Sequence, residues 1–228
     1  MTSSGLSCFN QQMRALLWAT AYLVSFVWGL YSRRVGSQGQ FVYHQLAPDF
    51  RGTVLYPLNH LAAVYPDIHG REAPKYAGRE AVMSYRVPYL DAPWADTVNL
   101  STLDPRLLVA ARQRLGIASS QLLQRRLLPI PIEHLAGHRL VRYSGATRWI
   151  NSSPGEDVPA EPPAYEFEPT DPQTYRETTE IPAAHLEYLT QCQAAGKPAL
   201  GFVHVPHVLA LGPIDISPLS PIDIGWPR

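Results

Sequence analysis

The chain has 228 residues, 46% hydrophobic and only 17% charged, a balance that folds around a buried core and excludes a disordered polymer. Lysine plus arginine equal aspartate plus glutamate at 19 each, which removes any general electrostatic reason to expect nucleic acid as a partner. Two cysteines, Cys8 and Cys192, are too few for a disulfide framework or a cysteine-built zinc site.

Residues 1–40 differ from the rest. From Ala15 to Tyr31 the chain carries no charge, and Trp18, Trp28 and Tyr31 lie near the ends of this apolar run, at the short limit of a bilayer span. Three readings stay open. As a signal anchor, Arg33 and Arg34 outweigh Arg14 and keep the following domain in the cytoplasm, with the membrane contacted through 15–31. As a cleaved signal, Val35-Gly36-Ser37 would be the processing site; as a plain extension, the segment has little bearing on the domain.

Residues 41–228 read as a single α+β domain, with short mixed strands packed against three or four helices. Phe41 to Leu46 is a first strand, rich in aromatic and β-branched residues. Pro57 opens a helix with Leu58, Leu61, Ala62 and Tyr65 on one stripe, closed by Pro66-Asp67, and Gly70 to Gly78 reads as turns. Glu80 to Val87 alternates as a strand does, and Val98 to Leu100 is a short strand. Asp104, Pro105 and Gly116 bracket a helix with Leu107, Leu108, Ala111 and Leu115 along one stripe; Arg112, Arg114, Arg125 and Arg126 then read as a solvated basic face.

Further on, Leu127 to Ile132 and Leu140 to Tyr143 read as strands around a helical turn at Glu133 to Leu135. The proline- and serine-rich stretch 151–172 reads as a long surface loop. Pro182 to Ala195 is a helix stopped by Gly196; Ala199 to Val205 is expected as a central strand, and Val208 to Leu211 as another. The tail holds Pro-Ile-Asp-Ile twice, from Pro213 and from Pro221, too short to define a repeat architecture.

No nucleophile elbow, phosphate-cradling glycine loop or zinc-binding HExxH pair is present, so the common hydrolase and nucleotidase readings lack their motifs. His204 and His207 resemble a metal pair only in spacing, because residues three apart on a strand face opposite ways; no metal is expected. His44, set among apolar neighbours, must be hydrogen-bonded or face a cleft. Tyr76, Gly78, Arg79 and Glu80 gather an aromatic, a flexible backbone and both charges in one turn, and Trp94 with Asp96 offers a ring and a polar anchor.

Val42-Tyr43-His44-Gln45-Leu46, Leu55-Tyr56-Pro57-Leu58-Asn59, Lys75-Tyr76-x-Gly78-Arg79-Glu80, Trp94-x-Asp96 and Val205-Pro206-His207-Val208-Leu209 together resemble a family of small uncharacterised bacterial proteins, which implies a compact unit and no assigned activity. Tyr43-His44 on a first strand, with Tyr76 or Tyr85 later, is also similar to ADP-ribosyltransferase-like domains. That resemblance implies NAD as cofactor, with His44 meeting its ribose and a tyrosine stacking on nicotinamide. The glutamate such domains carry on a later strand has no counterpart between Val203 and Leu211. His44, Tyr76 and Arg79 are thus the expected reacting residues, and His44, Tyr85, Trp94 and His207 the expected NAD-binding set. The alternative is a non-catalytic interaction module, tethered to a membrane if the N-terminal segment anchors, with the 151–172 loop as its contact surface; the protein partner is not specified by these residues.

Overall fold

The computed structural model describes residues 39–47, 49–78, 80–117, 126–145 and 166–223. The chain divides into Met1–Gly39 and Gln40–Arg228, and every element below belongs to the second unit. The apolar run 15–31 lies outside the described residues, among which no helix is long and apolar enough to cross a membrane.

Five α-helices and a seven-stranded antiparallel sheet make this unit an α+β fold among the described residues. In chain order the sheet strands are β1 (Phe41–Gln45), β5 (Thr97–Ser101), β6 (Arg126–Pro131), β7 (Leu140–Tyr143), β8 (Phe167–Thr170), β9 (His207–Leu211) and β11 (Ile222–Asp223). They lie side by side as β11-β6-β1-β5-β9-β7-β8. Two small ribbons flank it: β2 (Val54–Leu55) pairs with β10 (Ile214–Asp215), and β3 (Arg86–Val87) with β4 (Ala92–Pro93).

Both sheet faces are covered, as the strand alternation requires. One face carries Val42, Val98, Leu100, Leu128, Ile130, Leu140, Val208 and Ala210, which pack with Leu55, Ile214 and Tyr175. The other carries Val141, Tyr143, Phe167 and Leu209, which pack with Val82, Val87, Leu90 and Trp94. Burying each Leu, Val or Phe contributes about 1.5–3 kcal/mol.

The helices are α1 (Leu58–Val64), α2 (Pro66–Glu72), α3 (Glu80–Ser84), α4 (Pro105–Arg114) and α5 (Ala183–Ala194). Helix α4 begins where its sequence signals put it: Asp104 Oδ1 accepts from the Arg106 amide at 2.9 Å, and Gly116 takes φ +65° just past the end. Its Arg112 is not on a solvated face. That side chain is buried, donating from Nη2 to the carbonyls of Ala199 and Leu200 at 2.7 and 3.0 Å, and so ties α4 to the loop before β9.

Four further expectations are corrected. The stretch expected as a strand from Glu80 is α3, followed only by the two-residue β3; Val82 is buried while Ala81 is exposed, a pattern set by packing against the Trp94–Asp96 turn rather than by alternation. The helix opened by Pro57 does end just before Pro66, but Pro66 also opens α2, because its missing N–H costs nothing at a first helical position, and α2 with the 3-10 turn Ala73–Tyr76 takes up most of the stretch from Gly70 expected as turns. Ala199 to Val205 is irregular, with His204 at φ +60° and a turn closed by the Val205 amide to the Phe202 carbonyl at 3.1 Å. Phe167–Thr170, inside the segment expected as loop, pairs with β7 in full register; residues 146–165 lie outside the described set. The two Pro-Ile-Asp copies become β10 and β11, short strands in different sheets.

Candidate functional site

β1 is paired with β6 over five residues, and β5 with β9 over five, yet β1 and β5 share only the pair Tyr43↔Ser101. Beyond that pair the two central strands part. Consecutive residues of each, His44 and Gln45 on β1 and Thr97, Val98 and Asn99 on β5, line one cavity of about 380 Å³. Successive strand side chains point to opposite faces, so neighbours can share a cavity only where it opens between the strands. The volume falls in the range of small-molecule sites.

His44 bridges the gap. Its Nδ1–H donates to the Asn99 carbonyl at 3.1 Å, a ring standing in for a missing ladder bond. That tautomer makes Nε2 the basic nitrogen of the neutral imidazole.

The opposite wall is an arch of chain between β2 and α3. From it Leu58, Leu61, Tyr65, Ile68, Glu72, Lys75 and Tyr76 line the cavity, and Trp94 and Ala95 close its floor. Trp94 is 2% exposed and sits edge-on to Tyr143 at 5.7 Å, so it serves the core and the cavity together. Asp96 is not a lining residue: its Oδ1 accepts from Asn59 Nδ2 at 2.7 Å and holds α1 in place.

Of the residues singled out from sequence, His44, Tyr76 and Trp94 meet on this cavity. Arg79 lies outside the described residues. Tyr85 is stacked on Phe167 at 5.9 Å within the Trp94 cluster, accepts at its carbonyl from the Trp94 amide at 2.8 Å, and is not among the cavity-lining residues. His207 lies elsewhere too, at the start of β9, edge-on to Phe202 at 5.7 Å, where burial lowers its pKa to about 4. Among the described residues no group of three or more His, Cys, Asp or Glu could hold a metal ion.

Sequence reasoning missed Glu72, Lys75, Tyr65 and Asn99 as lining residues. Among the described lining residues Glu72 is the one carboxylate, and it pairs with Lys75 one turn on, a spacing that could have pointed to both. Three lining residues carry buried polar atoms. Gln45 Nε2, Glu72 Oε1 and Asn99 Oδ1 are buried without a hydrogen-bond partner among the described residues, although Arg71 Nε lies 4.0 Å from Glu72 Oε1.

No family model matches the chain, and neither does any curated protein or any solved structure. The likeness to ADP-ribosyltransferase-like domains therefore rests on Tyr43-His44 and the later tyrosines themselves.

Proposed function

We propose that the domain handles NAD, holding the nicotinamide–ribose half in the cavity where β1 and β5 part. The observation that carries this reading is that His44 and Tyr76, the residues matched to the ribose and nicotinamide roles, line the same cavity as Trp94. Its size suits one such half rather than the whole dinucleotide, and its lining of Phe50, Tyr56, Tyr65, Tyr76 and Trp94 offers aromatic faces for a heteroaromatic ring. His44, anchored through Nδ1 on the Asn99 carbonyl, sets its ring in the cavity lining, where the ribose would meet it.

Any reaction would follow from the same placement. Breaking the ribose C1′–nitrogen bond sends its electron pair to nicotinamide, while the oxygen of an acceptor, water or an alcohol, bonds to C1′ and loses its proton. Glu72 is the lining carboxylate able to stabilise the positive charge that develops on the ribose.

Calorimetric titration with nicotinamide riboside and with NAD tests the reading. Saturable binding of both is expected, weakened at least tenfold by His44→Ala, about the loss of one well-placed hydrogen bond and its ring contacts. No heat with either probe would sink it. Binding without release of nicotinamide would leave a binding module instead of an enzyme.

A further inference from the structure

We infer that α1 and α2 form a lid over the cavity, anchored in the core at both ends and latched in the middle by exposed polar contacts. The anchors are Leu55, buried in the main core beside β10, and Tyr76, packed on the Trp94 cluster. Between them α1 contributes no buried residue, α2 only Ile68, and the following 3-10 turn Ala73–Tyr76 none. Helices that bury so little are held by what they touch at the surface.

Three exposed polar contacts are among those that hold the lid. Asp67 accepts from Arg51 at 2.6 Å, Asp49 pairs with Arg71 at 2.6 Å, and Asp96 accepts from Asn59 at 2.7 Å. The first two join α2 to one short loop, 49–53, and all four of their side chains are between 44% and 58% exposed. Exposed pairs of this kind are weak and screened by salt.

The loop is shaped to receive the lid. Gly52 has φ +81°, a conformation that favours glycine, and a Cβ there would stand 2.9 Å from the Tyr65 hydroxyl, so the loop comes close to the α1–α2 junction. Arg51 then lies over the Tyr65 ring, its guanidinium carbon 4.8 Å from the centroid. The inner surface of the lid is cavity wall, including Leu61, Ile68 and Glu72. Opening would break polar latches while leaving both anchors in place.

This lid does not depend on what the cavity binds, and it can be tested without a ligand. Ile68 is 6% exposed and lies on the inner side, so alkylation by iodoacetamide at the introduced thiol of Ile68→Cys, read by peptide mass, reports opening. Adding Asp49→Asn and Asp67→Asn should speed labelling about three- to tenfold, the effect of losing two exposed pairs, and raising salt from 50 to 500 mM should do much the same. Hydrogen exchange of 58–72 in the unsubstituted protein gives the second reading: exchange at least tenfold faster than in β5 and β9, and salt-sensitive, is expected. Exchange as slow as in the central strands, or labelling unmoved by both the substitutions and salt, would overturn the lid and leave the NAD reading standing.

Discussion

Acidification from pH 7 to pH 5 is expected to lower the stability of the domain by roughly 2 kcal/mol through His207 alone. Burial holds this imidazole neutral, with its pKa lowered to about 4 despite a hydrogen bond with Val205 that works the other way. In the unfolded chain the same ring titrates near 6.5. Between those two values the unfolded chain binds a proton that the folded one refuses, so acid favours unfolding. The loss begins as pH falls through about 6.5 and is complete below about 4.

His185 acts in the same direction. It is fully buried on α5, its Nδ1–H donates to the Val203 carbonyl at 2.6 Å, and burial lowers its pKa, with the Arg112 guanidinium adding to the effect. Both rings report on the 199–207 segment. Urea unfolding at pH 7, 6 and 5 checks the slope, and His207→Leu should flatten it without abolishing it. A profile level from pH 7 to pH 5 would contradict the burial of both histidines. The exposed carboxylates held low by neighbouring donors, such as Asp171 beside Thr174 and Asp91 beside Arg86, lose their contributions only at lower pH.

Gly145→Ala is expected to destabilise the domain by about 3 kcal/mol, combining backbone strain with a clash against main chain. Gly145 follows β7 at φ +65°, and a Cβ there would lie 2.6 Å from the Val205 carbonyl oxygen and 3.2 Å from its carbon. Neither is the movable end of a side chain. The contact sits where the irregular segment turns into β9, so relief would have to displace the strand paired with both β5 and β7. Gly196→Ala is the matched control: φ is +63°, nothing lies within 4 Å, and only the roughly 1–2 kcal/mol of left-handed strain remains. Equal costs at the two positions, measured by urea unfolding, would contradict the close approach of Gly145 to Val205.

Much of the fold was legible where local chemistry decides local structure. Asp104-Pro105 and Gly116 framed α4 because a cap, a proline and a left-handed glycine act within a few residues. β7 has the expected limits, Leu140–Tyr143, because Leu140, Val141 and Tyr143 are apolar enough to be buried between β9 and β8. Ala81, Met83, Tyr85 and Val87 misled because an alternating pattern over so short a run fits a single turn of helix equally well, and the Trp94 cluster selected the turn. Ala199 to Val205 misled for a related reason: the segment is apolar because it packs under α4 and α5, not because it pairs in a sheet.

The site was legible only in part. His44 stood out because a histidine among apolar strand residues needs a partner, and it has one in the Asn99 carbonyl. That partner is 55 positions away in sequence, and the parting of β1 from β5 is a property of pairing registers, which no short motif encodes. Glu72, Lys75 and Tyr65 face the cavity because α1 and α2 arch over it, again a tertiary outcome. Asp96 was noticed for a ligand role, but its carboxylate holds Asn59 of the arch.

Lodging of the nicotinamide riboside moiety in the opening between β1 and β5 can be seen or refuted in a crystal structure of the protein grown with nicotinamide riboside. Density for the compound between the two strands, with His44 on its ribose and Tyr76 or Trp94 against its ring, is the predicted result. Density for the compound only on the outer surface, or at the His207 end of β9, would contradict it.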